Sequence, residues 1–396
     1  MSRAVLNCGF IPLVDCAPLV AAREMGFAEE ELLDLRLQRQ PSWSAIRDQL
    51  TFGQIDAAHM LAPMPVAMSM GLGGVPTRID VLSVLSVNGN VIGVSRELSE
   101  RMRRVGSAPD FLSATAVGRA LISAIDGRLR VGVPFPFSMH AELLYYWLGA
   151  LGLQAPADLD VRTVPPPQMA DAISSGEIDA FCVGEPWGSI AVEQGVADLV
   201  LPGCAIWQFA PEKVLAVRHD WAEESPETLT SLMRAIWRAG RWLSDPANRM
   251  MISELLARPD YVDVSPEVID RALTGRLRVS ADGSEQLVPR FLEFFTGAAT
   301  FPWRSQAEWI AERWANRAGL DREEALANGR ASFRSDLYRN CLGPIGADLP
   351  GASDKVEGAL ESRTPVASFT GEMHLGPDIF FDRLIYEPVG KNFRNT

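Results

Sequence analysis

Apolar and polar positions in the first part of the chain change period several times, from the alternation of strands to the three- and four-residue spacing of helices. Strands that alternate with helices in this way are typical of βαβ units and a mostly parallel sheet. The pattern predicts strands at Ala4–Cys8, Leu33–Gln38, Ala57–Leu61 and Ile79–Val87, and helices at Ala17–Met25 and Ser44–Phe52.

The same pattern then returns further along the chain. Gly-x-Ile-Asp-Ala occurs at Gly53–Ala57 and at Gly176–Ala180, each time after a helical run and before a short apolar strand. The two copies are 176 − 53 = 123 residues apart, and Gly9 and Gly132, which end two predicted strands, have the same separation. The sequence therefore predicts two similar α/β lobes, and such pairs usually bind a ligand between them.

The predicted path of the chain passes between the lobes twice. Lobe 2 comprises residues 88–213, and lobe 1 comprises residues 1–87 together with 214–396, because the strand Val214–Arg218 is expected to return the chain to the first sheet. Two crossing segments form a hinge, which permits closure on a ligand.

The rest of the chain is predicted to be a helical part with an extended tail. The tail, Ser335–Thr396, has weak periodicity but too many aromatic and aliphatic residues for a solvating linker, so we expect it to wrap the protein with short helices. The expected helices are Phe111–Asp126 between the lobes, then Pro226–Leu243, Ala247–Leu256, Pro266–Leu277 and Val288–Ala299.

Composition excludes some classes of function. The net charge of −13 argues against direct nucleic-acid binding, which depends on clustered Lys and Arg. No stretch approaches the roughly 20 apolar residues that span a bilayer, so membrane insertion is not expected. The four histidines lack ligand spacing and the five cysteines lack a CxxC pair, so neither a metal site nor a disulfide framework is indicated.

The start of the sequence bears on the cellular compartment in which the protein is expected. A strand pattern begins within about four residues of Met1, with no basic region followed by an apolar run and a cleavage site. We therefore expect a cytoplasmic protein.

Ligands of open α/β sheets bind at the carboxyl ends of the strands, close to helix N-termini. The rule selects loops from both lobes, namely Gly9–Pro18, Pro41–Trp43, His59–Pro65, Pro134–His140, Pro165–Gln168 and Gly184–Trp187. Asn90 and Lys213 lie near the two expected crossings.

Each candidate side chain in these loops has two interpretations. His140 opens a predicted helix and either donates to an anion or is an ordinary helix residue. Trp43 either offers an indole N–H or fills the core, and Lys213 is either a countercharge or a solvated residue at a strand edge. His59 is favoured as a buried histidine. No GxSxG, P-loop or GxGxxG pattern is present, so an enzyme is not expected.

Several segments resemble the nitrate- and bicarbonate-binding proteins of ABC transporters, over about residues 4–310. They are Gln40–Asp48, Asp56–Pro65, Val164–Met169, Asp179–Trp187, Pro211–Lys213 and Phe301–Ser305. The resemblance implies a type II periplasmic-binding-protein fold, in which two α/β lobes joined by a two-strand hinge hold one oxyanion.

The resemblance also implies a set of ligand-binding residues. Trp43, His140 and Lys213 match positions that contact nitrate, and Asn90 stands where Gln is usual. The other expected members are Pro166 and Gly184. Bicarbonate-binding members carry an acidic residue at the position of Lys213 and use calcium there, so the lysine implies nitrate or nitrite without a metal or other cofactor.

Together with the expected location, the resemblance implies a cytoplasmic sensor similar to NasS. Its partner would be a NasT-like ANTAR antiterminator protein, which it releases on binding nitrate or nitrite. One alternative is the substrate-binding protein of a nitrate ABC transporter. A second is a biosynthetic enzyme with the same fold, in which His140 would be required.

Overall fold

A computed structural model describes residues 3–105, 111–154, 157–371 and 373–389. Two mixed sheets, each with helices packed on it, make up most of the protein. In the described residues the strands are β1 Ala4–Phe10, β2 Leu33–Arg39, β3 Ala57–Leu61, β4 Ile79–Asn88, β5 Asn90–Ser95, β6 Leu129–Val133, β7 Leu159–Thr163, β8 Ala180–Gly184, β9 Ala197–Pro202, β10 Pro211–Arg218, β11 Arg276–Arg278, β12 Glu285–Leu287, β13 Leu292–Glu293, β14 Thr364–Val366 and β15 Met373–Leu375.

Most helices begin at a residue suited to that position. Ser42, Ser138 and Asp321 accept hydrogen bonds from first-turn amides, and four other helices have Pro in their first two positions. The helices are α1 Ala17–Glu24, α2 Phe27–Glu30, α3 Trp43–Thr51, α4 Pro63–Ser69, α5 Arg96–Val105, α6 Ala114–Ala124, α7 Met139–Ala150, α8 Met169–Ser174, α9 Trp187–Glu193, α10 His219–Glu224, α11 Pro226–Leu243, α12 Arg249–Leu256, α13 Pro266–Thr274, α14 Arg304–Ala318, α15 Arg322–Ser332 and α16 Ser335–Leu342.

The two sheets share one topology. The first has the order β13-β4-β10-β3-β1-β2, and the second has the order β7-β6-β8-β5-β9. In both, the strand second from one edge, β1 or β6, pairs in parallel with the next two strands in sequence, and the two pairings that follow across the sheet are antiparallel. The predicted similarity of the two α/β lobes therefore extends to the order and direction of five strands in each lobe.

The sequence repeat appears as matching contacts. The Asp56 carboxylate accepts the backbone N–H of Asn7 at 2.8 Å, and the Asp179 carboxylate accepts that of Arg130 at 3.1 Å. Each aspartate thereby fixes the start of one strand, β3 or β8, against its parallel neighbour in the sheet, β1 or β6. The repeated aspartates are scaffold residues.

The two connections between the sheets lie side by side. The chain leaves the first sheet at Asn88, turns at Gly89 and enters the second sheet at Asn90. It leaves the second sheet at Pro202 and returns at Pro211. The Asn88 side chain bonds the carbonyl of Gln208 and the amide of Ala210, so it joins the two connections.

The structure corrects three expectations about the helical part. Val288–Ala299 is not a helix: Arg290, Gly297 and Ala298 have positive φ angles, and the buried side chains Phe291 and Phe294 lie in turns around β13. The helix predicted to reach Leu277 ends at Thr274, because Gly275 adopts a left-handed conformation before β11. The helices α14 and α15 were not predicted.

The tail packs against the body of the protein, as expected. It contains α16 and the short strands β14 and β15, and residues 390–396 lie outside the described part. Phe380 is 1% exposed and stacks on Trp207, with ring centroids 4.8 Å apart. Lys355 is buried between Glu357 and Asp378, and these two ion pairs hold this part of the tail together.

Gly9 and Gly132 give a test of the repeat. A Cβ at either position would lie 2.7 Å from the Cδ1 atom of an isoleucine in the repeat, Ile55 or Ile178. We expect Gly9→Ala to reduce the free energy of unfolding by about 1–3 kcal/mol through overpacking. In the Ile55→Val background the cost should be smaller, since that change removes the opposing methyl group.

The measurement is chemical denaturation of the four proteins in this double-mutant cycle. Gly149→Ala is the control, because Gly149 lies in α7 and is exposed, with no heavy atom within 4 Å of an added Cβ. It should stabilise the protein by up to about 1 kcal/mol. Equal costs of Gly9→Ala in both backgrounds would show that Ile55 is not the obstacle.

Candidate functional site

A cluster of polar side chains is buried where the two lobes meet. Its members come from the carboxyl ends of strands, from helix starts and from the two connections between the sheets. Each is at most 2% exposed. We call this set the cleft cluster, and it comprises Asp15, Trp43, His59, Asn90, His140, Glu212 and Lys213.

Lys213 lies at the centre of the cleft cluster. Its Nζ atom is 2.8 Å from Oδ2 of Asp15 and 3.0 Å from Oε1 of Glu212, and it lies 5.6 Å from the centre of the Trp43 ring. Burial lowers the pKa of Lys213, but the two carboxylates outweigh it and raise the pKa above its usual value. The lysine is therefore charged, and the interpretation as a solvated strand-edge residue is wrong.

A backbone irregularity lets neighbouring residues of β10 reach the same cluster. Successive side chains of a regular strand point to opposite faces. The pairing of β10 with β4 shifts register on both sides of Lys213, and both Glu212 and Lys213 enter the cleft cluster.

On the lobe 1 side, Asp15 contacts both Lys213 and His59. Burial raises the pKa of Asp15, but Lys213 and His59 outweigh it and lower the pKa to about 2. The Nε2 atom of His59 lies 3.1 Å from Oδ1 of Asp15, without hydrogen-bond alignment. Burial lowers the pKa of His59 below its usual value despite this contact, so we treat the ring as neutral.

On the lobe 2 side, two groups face Glu212. The Nδ2 atom of Asn90 donates to Oε2 of Glu212 at 2.8 Å, and Nδ1 of His140 lies 3.1 Å from Oε1. Burial raises the pKa of Glu212, an effect that Lys213 opposes. Burial, followed by the charge of Lys213, lowers the pKa of His140 well below its usual value, so this imidazole is neutral.

Several polar atoms of the cleft cluster have no hydrogen-bond partner among the described residues. They include Nε1 of Trp43, Oδ1 of Asn90 and both ring nitrogens of His140. Buried polar groups are normally paired, so each such atom points to a missing partner. A Cβ at Gly184 would lie 3.2 Å from Leu13 Cδ2 and 3.8 Å from both His140 Nε2 and Asp15 Oδ2, so this glycine lets the end of β8 lie close beside them.

Five of the six candidate residues thus lie in or beside one cluster. Trp43, Asn90, His140 and Lys213 belong to it, and Gly184 adjoins it. Pro166 is buried at the start of a short 3₁₀ helix after β7, and the contacts described above do not include it.

Three further members were not among the candidates. Asp15 lies in the loop Gly9–Pro18, which the strand-end rule had selected, but nothing in the sequence distinguished its carboxylate. Glu212 directly precedes Lys213 and requires the irregularity in β10. His59 is buried as favoured, and its ring also lies 5.6 Å from that of Trp43.

The cleft cluster holds a lysine where two carboxylates converge. In the part of the chain that the structure describes, no group of three or more His, Cys, Asp or Glu side chains is arranged to hold a metal ion. The Lys213 ammonium supplies the positive charge between Asp15 and Glu212. Within the same residues, no helix combines the length and apolar character needed to cross a membrane.

Sequence comparison relates the chain to known proteins. Residues 2–257 match the model of the NMT1-like family. The nitrate/nitrite binding protein NrtA of Synechococcus elongatus is 31% identical over 97% of this chain and 83% of its own length. The nitrate import ATP-binding protein NrtC of Synechocystis sp. is 35% identical over 81% of this chain, but the match spans only 47% of NrtC, about half its length.

Structural comparison gives the same answer. The crystal structure of the periplasmic nitrate-binding protein NrtA from Synechocystis PCC 6803 superimposes with a TM-score of 0.83 and 26% identity, over 98% of this chain and 96% of that one. This similarity confirms the predicted α/β periplasmic-binding-protein-like fold. The chain belongs to the NMT1-like family and is a homologue of the nitrate-binding protein NrtA.

Proposed function

We propose that this protein binds nitrate or nitrite between its lobes and performs no chemistry on it. The observation that carries the proposal is the buried Lys213 ammonium beside unpartnered polar atoms of Trp43 and His140. Nitrate is planar, monovalent and weakly basic, so one charged donor, a few neutral N–H donors and a flat wall suit it. The names of the NrtA relatives support a binding protein rather than an enzyme.

Each candidate residue has a proposed part in this site. Lys213 supplies the countercharge, and Trp43 and His140 each donate an N–H group. Gly184 lets the end of β8 lie close beside His140. The amide of Asn90 already donates to Glu212, so we propose that it acts through that carboxylate, while Pro166 lines the strand ends.

We further propose that the protein is a cytoplasmic sensor whose closure on the anion releases a NasT-like ANTAR antiterminator and so regulates nitrate assimilation. The two-segment connection between the sheets supports a closing motion. We propose that the signal passes along α7, which carries His140 and, two positions further on, the buried Glu142 that pairs with Arg317 of α14. The charge of −13 suits a protein partner better than RNA itself.

The main alternative is the substrate-binding protein of a nitrate ABC transporter. Two relatives favour it, since one is a periplasmic nitrate-binding protein and another is a nitrate import ATP-binding protein. The anion site would be the same in both cases. The two proposals differ in the partner and the compartment.

Trp43→Phe tests the anion site while keeping an aromatic ring at this position. The substitution removes the indole N–H, and a hydrogen bond to a charged group contributes about 1.5–3 kcal/mol. We expect the dissociation constant for nitrate to rise by roughly tenfold or more, measured by isothermal titration calorimetry. Trp303→Phe is the matched control, because Trp303 is also a buried indole without a described partner but lies outside the cleft cluster.

Two results would contradict the anion site. The first is an absence of heat when nitrate or nitrite is added to the unaltered protein at millimolar concentration. The second is an equal effect of Trp43→Phe and Trp303→Phe on the dissociation constant. Bicarbonate, titrated in parallel, should bind more weakly because the site has a lysine between its carboxylates.

The sensor proposal predicts a nitrate-sensitive complex. The protein should elute with a NasT-like ANTAR protein in size-exclusion chromatography, and saturating nitrate should separate them. The shift is limited by how much more tightly nitrate binds the closed state. Trp43→Phe protein should hold its partner at a nitrate concentration that releases the unaltered protein.

A complex that is absent or insensitive to nitrate would contradict the sensor role. Stimulation of ATP hydrolysis by a reconstituted nitrate transporter would then favour the transport alternative.

A further inference from the structure

The charges of the cleft cluster do not balance. It contains one ammonium, Lys213, and two carboxylates, Asp15 and Glu212, all within a region at most 2% exposed. His59 and His140 are neutral, as derived above. With both carboxylates ionised the cluster therefore carries one net negative charge before any anion enters it.

An added monovalent anion would make this imbalance worse. Burying unpaired charge is costly, and groups in such surroundings usually change protonation instead. The anion and Glu212 would also need the same donors, because Glu212 already accepts from Asn90 and Lys213 and lies beside His140. Glu212 thus occupies part of the bonding capacity that an oxyanion requires.

The groups around Glu212 identify it as the side chain that can change its protonation state. On its own strand it faces Lys213, and from β5, α7 and the turn before α1 it is faced by Asn90, His140 and Asp15. Cys182 of β8 is also close, and burial followed by the charge of Glu212 keeps the pKa of its thiol well above the usual value. Asp15 is held ionised by Lys213, whereas burial favours the neutral form of Glu212.

We propose that Glu212 takes up one proton when the anion binds, so that the ligand enters the cleft as an anion together with a proton. The inference rests on the proposed anion site. The proton comes from water and forms an O–H bond on the Glu212 carboxylate. The neutral acid then offers a donor to the anion, and the charge of Lys213 is balanced by Asp15 and shared with the ligand.

The proposal fixes the sign of a pH dependence. An anion beside Glu212 disfavours its ionised form and raises its pKa further in the complex. Between the pKa of Glu212 in the two states, the affinity for nitrate should fall by about tenfold for each unit rise in pH. Below the lower pKa the carboxyl is already protonated, and the affinity should become constant.

Calorimetry of nitrate binding in pairs of buffers with different ionisation enthalpies measures the protons taken up. At some pH above the usual glutamate pKa of 4.5, from which burial raises that of Glu212, the unaltered protein should take up close to one proton per nitrate. Glu212→Gln should bind nitrate without proton uptake and with little pH dependence. Glu185→Gln is the control, because burial raises the pKa of Glu185 to about 7, yet this side chain bonds Ser189 rather than the cleft cluster.

Each outcome decides a separate question. Nitrate binding without proton uptake at any pH above the usual glutamate pKa overturns the inference, and so does full uptake by Glu212→Gln. No nitrate binding by the unaltered protein contradicts the anion site itself. If Glu212→Gln does not fold, infrared spectra of the unaltered protein decide: nitrate should produce the carbonyl band of a buried carboxylic acid, and its absence overturns the inference.

Discussion

The buried contact of one lysine with two carboxylates is the constraint on which the site depends. Removing one partner of such a set leaves an uncompensated buried charge, at a cost of about 3–5 kcal/mol. Asp15 follows the first strand of lobe 1, whereas Glu212 and Lys213 start the strand that returns from lobe 2. The contact therefore fixes the returning connection against the first loop, and it places the charges where the lobes meet.

The duplication supplies the frame around this contact but none of its charges. Asp56 and Asp179 have equivalent positions, and each bonds the neighbouring parallel strand of its sheet. The residues of the cleft cluster, by contrast, have no such symmetry: Trp43 opens α3 in lobe 1, and His140 opens α7 in lobe 2. The two lobes thus share a backbone plan and differ in chemistry. A single anion with one countercharge fits that asymmetry.

The sequence was most informative where a structural signal is local. Strand Ala57–Leu61 and helix Pro226–Leu243 were predicted with their true bounds, because period and punctuation agree there. Strand ends selected Trp43 and His140, and the expected crossings between the lobes selected Lys213. Glu212 was missed as a candidate because its side chain reaches the cleft only through a register shift in β10. The helix predicted at Val288–Ala299 was wrong, because helix-like apolar spacing also suits turns that bury Phe291 and Phe294.

The C-terminal part is packed against the helix that carries His140. Helix α14 packs on α4 and α15 on the lobe 1 side, and its Arg317 pairs with the buried Glu142 of α7 in lobe 2. Arg313 lies over the ring of Tyr146, also on α7, and the same ring contacts Phe380 of the tail. Because Glu142 and Tyr146 are both buried, a displacement of α7 would alter these contacts. Packing therefore joins α7 to both α14 and the tail.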